Sequence, residues 1–268
     1  MSQFSIHLGY VLGSLPFPDR FARARELGFH AVEIPFPYAT SAEDYASLLG
    51  RNGLSQISIG APTSDYRAGE TGLAVDHREH AAFLRSLEQA ALYAKRIGCP
   101  AVHVFSGCTS RDLSPASMDE TFCENLALAA DFFAREGIIT LVEPINSLDF
   151  PGYYLNSIEK ALEIMAKIGS EKIWLIFDIY HLSMMGIDPV EALRNTYKKV
   201  HHIQFADFPG RHEPGSGSLD LDAIIGAMRS TGYGGSAGLE YIPTRPATEP
   251  LKLPPILADY AGLFTVND

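Results

Sequence analysis

Residues 165–178 read MAKIGSEKIWLIFD, and this one stretch holds the rule by which the chain is built. Ile168-Gly169-Ser170 puts glycine where a helix C-terminus takes a left-handed residue. An apolar run, Ile173 to Phe177, follows at once and stops at Asp178. The same punctuation recurs at Leu27-Gly28-Phe29, Ile97-Gly98-Cys99 and Glu136-Gly137-Ile138, and again at Asn52-Gly53 after 41–50 and Thr231-Gly232 after 219–230. In most cases an apolar, β-branched run begins a few residues later. Such runs lie near 3–9, 30–35, 55–60, 100–105, 138–143, 172–178, 200–206 and 236–241, which makes eight candidate strands.

The segments between them carry helical periodicity. Phe83, Leu84, Leu87, Ala90, Ala91 and Ala94 recur at three- and four-residue steps within 75–97, drawing one apolar face. The segment 115–136 opens on Ser114-Pro115, a cap followed by proline in the first turn. It then sets Phe122, Leu126, Ala129, Ala130 and Phe133 on one side. Strand, helix and glycine in steady alternation predict parallel strands joined by right-handed crossovers. Eight such units in a chain of 268 residues match the count of a TIM barrel. The expected fold class is therefore α/β, a single (β/α)8 TIM barrel forming one domain over 1–268. An open doubly wound sheet would show a Gly-rich phosphate turn after a strand. The candidate Gly210–Gly217 matches neither the dinucleotide nor the Walker pattern.

Apolar residues make up 46%, enough for a large core, and the formal net charge is −11. That balance lacks the overall basic excess of a phosphate-backbone binder and repels anionic membranes. No nucleic-acid or membrane partner is expected. Three cysteines, Cys99, Cys108 and Cys123, form no C-x-x-C pair, which fits a reducing, cytoplasmic setting. The start, MSQFSIHLGY, has neither the basic nor the apolar region of a signal peptide, and no run of 18 apolar residues spans a bilayer.

Four apolar runs in the second half end at a polar residue suited to a hard cation: Glu143, Asp178, Gln204 and Glu240. Their spacing approximates one strand-helix-strand unit, so in a barrel all four point to the C-terminal face. A buried carboxylate such as Asp178, after IWLIF, costs several kcal/mol without a partner, and a bound cation is one way to offset that. The donor set is rich in oxygen, which favours Mg²⁺ or Mn²⁺. Zn²⁺ or Co²⁺ becomes plausible if His181 or His202 joins it. Two glutamates, Glu143 and Glu240, flanking one cation suit the transfer of a proton on and off carbon. His181, just beyond Asp178, is read as a substrate contact. His202 reads equally as a satisfied core histidine. In the loop after the seventh run, Arg211 offers a planar fork for a carboxylate or vicinal oxygens. Glu213 in the same loop and His103 on the fourth run complete the substrate-binding candidates.

VEPIN, FDIYH, HIQFAD, PGRHEPGSG and GLEY, in that order, resemble the hydroxypyruvate isomerase family, within the xylose-isomerase-like TIM barrels. VEIPFPY and the segment from Asp65 to Gly72 are similar as well. The resemblance implies a metal held by Glu143, Asp178, Gln204 and Glu240, an acid–base pair of Glu143 and Glu240, and substrate contacts at His181 and Arg211. It implies interconversion of a short hydroxy-keto acid and its aldehyde isomer, hydroxypyruvate and tartronate semialdehyde being the type case. Ketose 3-epimerases and keto-tetronate isomerases share the scaffold. An abasic-site endonuclease and a non-catalytic sugar- or metal-binding barrel are the readings of another class. Three departures bear on substrate choice. Ile59 stands in QISIGAP where relatives often carry histidine, His7 and His103 sit on the first and fourth runs, and the loop reads RHEPGSGS. A homo-oligomer is compatible with the sequence, which shows no heptad or apolar surface stripe.

Overall fold

The structure, a computed structural model, describes residues 4–63 and 72–262. Most of the familiar segment beginning at Asp65 lies outside the described residues. Nine strands form one sheet: β1 (Phe4–His7), β2 (Ala31–Glu33), β3 (Ser55–Gln56), β4 (Ile59–Gly60), β5 (Ala101–His103), β6 (Ile139–Val142), β7 (Ile173–Asp178), β8 (Val200–Phe205) and β9 (Ser236–Leu239). Their order is β3-β2-β1-β9-β8-β7-β6-β5-β4, and the pairings of β1 with β2 and β9, β8 with β9, and β5 with β4 and β6 are parallel. The last strand lies beside the first. The third expected run is split in two. Ile57 still donates its N–H to Val32, whereas Gly60 donates to Pro35 and Ala61 to His103, so the run changes partners midway.

The chain falls into two compact units: Met1–Ile34, Ser47–Ile57 and Phe177–Asp268 make the first, Pro35–Ala46 and Ser58–Ile176 the second. In the first, β1, β2, β3, β8 and β9 are accompanied by α1 (Phe17–Glu26), α6 (Ile179–Met184), α7 (Pro189–Thr196), α8 (Leu221–Thr231) and α9 (Pro255–Ala261). In the second, β4, β5 and β6 are accompanied by α3 (His80–Ile97), α4 (Pro115–Arg135) and α5 (Ile158–Ile168), while α2 (Ala42–Asn52) and β7 are divided between the two.

Local chemistry sets the helix boundaries. Ser114 caps α4, accepting the N–H of Ser117 at 3.1 Å, and Pro115 needs no partner at the first position. The helix expected from residue 75 begins at His80, because Val75 donates its N–H to Ser106 and Asp76 caps a short 3-10 turn over His77–Glu79. Gly28, Gly53, Gly98, Gly137, Gly169 and Gly232 all adopt positive φ. At Gly98 (φ 67°) a Cβ would meet nothing within 4 Å, so the requirement there is purely conformational. No helix among the described residues is long and apolar enough to cross a membrane.

Successive side chains on a strand face opposite ways. In the second unit this places Ala101, Leu141 and Ile176 in one buried cluster, with Ile139 and Trp174 packed against it. His103 and Glu143 come two residues after Ala101 and Leu141, on the same face. In the first unit the alternating partners of the apolar Ile6, Val32, Ile203 and Leu239 are Ser5, His7, Glu33, His202, Gln204, Gly238 and Glu240. Polar side chains thus gather at the carboxyl ends of strands whose other residues are core.

Candidate functional site

In the first unit Asp178 ends β7 and serves also as the N-cap of α6, its Oδ1 accepting the N–H groups of Tyr180 at 2.8 Å and His181 at 3.3 Å. The strand-to-helix turn leaves Oδ2 for other partners. One is Arg211, whose Nη2 donates to Asp178 Oδ2 and to Glu240 Oε1, both at 2.9 Å. The His181 ring lies 3.6 Å from the same Oδ2. Asp178 and His181 offer ligating atoms within 4.8 Å of each other.

Arg211 is buried at 5% exposure and its guanidinium lies between two rings, 4.8 Å from the centroid of Tyr10 and 5.1 Å from that of Tyr180. Stacking on aromatic faces suits the planar, weakly hydrated guanidinium. Its backbone adopts φ 57°, which costs a non-glycine residue on the order of 1 kcal/mol. Asp207 holds the loop in that path: fully buried, it accepts the N–H groups of Phe208 at 2.8 Å, Gly215 at 2.6 Å and Leu219 at 3.2 Å. A Cβ on Gly217 would stand 2.3 Å from Phe208 O and 2.5 Å from Asp207 Oδ1, so only glycine passes there.

Gln204 joins this group from β8. Its Nε2 donates to Glu33 Oε2 at 2.9 Å and to Glu240 Oε2. Its Oε1 is buried and has no hydrogen-bond partner. His202, two residues earlier and fully buried, engages Glu33 Oε2 through Nε2 at 3.0 Å and Ser236 Oγ through Nδ1 at 2.8 Å. Ser5 Oγ donates to Glu33 Oε1 at 2.9 Å. Burial alone would raise the Glu33 carboxyl, but His202, His7 and the Gln204 amide outweigh it and hold it down at about 2. For Asp178 burial wins, lifting its carboxyl above the usual range against Arg211 and the two capping N–H groups.

His7, at the end of β1, accepts two backbone N–H groups on Nδ1, from Gly9 at 3.0 Å and Tyr10 at 2.9 Å. An acceptor carries no proton, so the neutral ring bears its hydrogen on Nε2, which is buried without a partner. Burial, helped by the positive charges of Arg211 and Arg20, lowers its pKa to about 4.

In the second unit Glu143 directly follows β6, buried, with His103 Nδ1 3.6 Å from its Oε2. The His103 ring lies 3.9 Å from that of Phe105. Ile59, the third-run departure, is a buried apolar residue of β4.

Asp178, His181, Gln204, Arg211 and Glu240 thus lie together in the first unit, with His202 behind Gln204 through their common partner Glu33. Glu213 is half-buried and accepts from Thr244 N at 2.8 Å and from its hydroxyl. Glu33 was not among the residues picked out by sequence. The signal at Glu33 is weaker because only Ala31 and Val32 lead up to it, against Ile173–Phe177 before Asp178. His7 is recognisable in the sequence only as an unusual residue on the first run.

Residues 21–254 match the family model described as xylose isomerase-like TIM barrel. The 2-oxo-tetronate isomerase of Cupriavidus necator is 37% identical over 243 residues, covering 91% of this chain and 94% of that protein. Hydroxypyruvate isomerase of Escherichia coli (strain K12) is 32% identical over 243 residues, with the same coverage of 91% and 94%. A crystal structure described as AP endonuclease, family 2, from Brucella melitensis superposes with a TM-score of 0.88 at 33% identity, covering 92% of this chain and 95% of that one.

Proposed function

Because the chain belongs to the xylose isomerase-like TIM barrels, among the hydroxypyruvate and 2-oxo-tetronate isomerases, we propose that it interconverts a short hydroxy-keto acid and its aldehyde isomer with the aid of a divalent cation. The observation that carries the reading is Gln204 Oε1, a buried carbonyl oxygen without a partner, beside the carboxylate of Glu240. A hard cation accepts such an oxygen readily. Asp178, Gln204 and Glu240 would hold it together with Glu143, an all-oxygen set that favours Mg²⁺ or Mn²⁺ over softer metals. Bound there, the cation supplies Lewis-acid polarisation of the substrate carbonyl and its neighbouring hydroxyl.

The remaining work falls to the side chains. One of Glu143 and Glu240, as carboxylate, takes the proton from the hydroxymethyl carbon. The other, as acid, delivers a proton to the former carbonyl carbon, and the hydroxyl proton passes from one oxygen to the other. Each such transfer is worth about 10²–10⁴-fold. Arg211 holds the substrate carboxylate with its fork, fixed between Tyr10 and Tyr180. His181 orients the substrate beside Asp178. His202 acts from behind, through Glu33. The whole of 1–268 works as one domain, in the cytoplasm, on a small molecule, with no nucleic-acid or membrane partner.

The test follows solvent deuterium into hydroxypyruvate by NMR, in Mg²⁺ and in Mn²⁺, with a four-carbon keto acid and a free hexulose in parallel. Exchange in the wild type, lowered at least 10²-fold in Glu143→Gln and Glu240→Gln, is expected. Absence of exchange in every substrate, or full activity in either variant, would overturn the assignment.

A further inference from the structure

Glu33 is a buried carboxylate that neither the acid–base pair nor the cation uses. It closes β2 at 2% exposure and receives three donors: Ser5 Oγ on Oε1, and Gln204 Nε2 and His202 Nε2 on Oε2. Room for it is built into the neighbouring strand. Gly238 pairs in register with both Ser5 and Gln204, and a Cβ there would lie 2.3 Å from Glu33 Oε1 and 2.1 Å from Ser5 Oγ.

A glutamine amide is nearly symmetric in shape. A half-turn about its last torsion exchanges a donor nitrogen for an acceptor oxygen. Partners decide which atom faces which way, and here both N–H groups of Gln204 go to carboxylates, Glu33 and Glu240. The reversed amide would set Oε1 against anionic oxygens. A cation bound by Glu240 draws on that carboxylate, whereas Glu33 keeps its hold on the nitrogen from behind. We infer that Glu33 is a positioning residue that commits Gln204 to present its oxygen, and not its nitrogen, to a divalent cation. The inference rests on the reading of Gln204 as a cation ligand. Partners of this kind behind metal ligands are worth about 10–100-fold in metal affinity.

The test measures Mn²⁺ binding to the full chain by calorimetry and by the loss of the free-ion electron paramagnetic resonance signal. Wild type binds. Glu33→Gln, still folded by its thermal melt, binds about 10–100-fold more weakly. The exchange Glu33→Gln with Gln204→Glu restores a donor facing an acceptor and leaves only oxygen on the ligand, so it recovers most of the lost affinity. A folded Glu33→Gln that binds as tightly as wild type overturns the inference, and so does an exchange that folds and regains nothing. A crystal structure of the Mn²⁺-loaded wild type decides without any variant. Gln204 Oε1 on the ion with Nε2 against Glu33 supports the inference, and any other orientation of that amide rejects it. If the wild type binds neither Mn²⁺ nor Mg²⁺, the proposed function falls first and this inference with it.

Discussion

Acidification probes His7. In the folded chain its Nδ1 accepts two N–H groups and its pKa is lowered to about 4, from 6.5, chiefly by burial. Between these values the unfolded chain binds a proton that the native chain does not. Stability is therefore complete above pH 6.5 and falls as the pH drops toward 4. For one group shifted this far, the loss between pH 7 and pH 5 comes to about 2 kcal/mol. His201, lowered to about 4 by burial and by neighbouring His202, adds a loss of the same sign. Glu33, held down at about 2, releases its contribution only below the usual carboxylate range and stays silent in this window. His7→Asn isolates the effect, since its amide oxygen can still accept from Gly9 and Tyr10 while nothing titrates. Urea unfolding followed by the fluorescence of Trp174, the sole tryptophan, gives the free energy at pH 7, 6 and 5. The wild type should lose about 2 kcal/mol more than the variant over that range. Equal losses would refute the assignment of a buried neutral imidazole at position 7.

Two further perturbations follow from the packing. Arg211→Met leaves the carboxylates of Asp178 and Glu240 buried without their shared cation and should destabilise the fold by about 3–5 kcal/mol; a change under about 1 kcal/mol in urea midpoint analysis would show that these acids have other compensation. Leu141→Ala removes a fully buried side chain from the cluster with Ala101 and Ile176 and should cost about 2–5 kcal/mol, read as a lowered melting temperature with the circular dichroism spectrum preserved.

Much of the fold is written in short-range signals. Gly169 before Ile173–Phe177 and Ser114-Pro115 before α4 each act within a few residues, and the structure places helix ends and strands there. The split of 55–60 was not legible, because it depends on which strands Ile57 and Gly60 meet, and no residue within the run encodes its neighbours. Burial hides alternation as well. All four residues of β1 are buried, so Ser5 and His7 read as interruptions of an apolar run, although they belong to one face. At the site, Asp178 stands out because it closes the long apolar run Ile173–Phe177. Glu33 does not, and its partners His202 and Gln204 lie 169 and 171 residues away. A hydrogen bond across such a separation leaves no local trace. Glu213 lies in a loop conspicuous in sequence, and its carboxylate accepts the N–H of Thr244 at 2.8 Å.

The loop tied together by Asp207 has a consequence for how a ligand would be met. Three backbone amides converge on one carboxylate, with Gly217 passing where no side chain fits. Arg211 is thereby stationed before any encounter, and the entropy of fixing its long side chain is lost during folding. On the same loop the exposed Ser216 adds no side-chain hydrogen bond to that knot, whereas Ser218 donates its hydroxyl to Phe208 O at 3.0 Å. Position 216 is where sequence can drift, and recognition be retuned, while the guanidinium stays at its post.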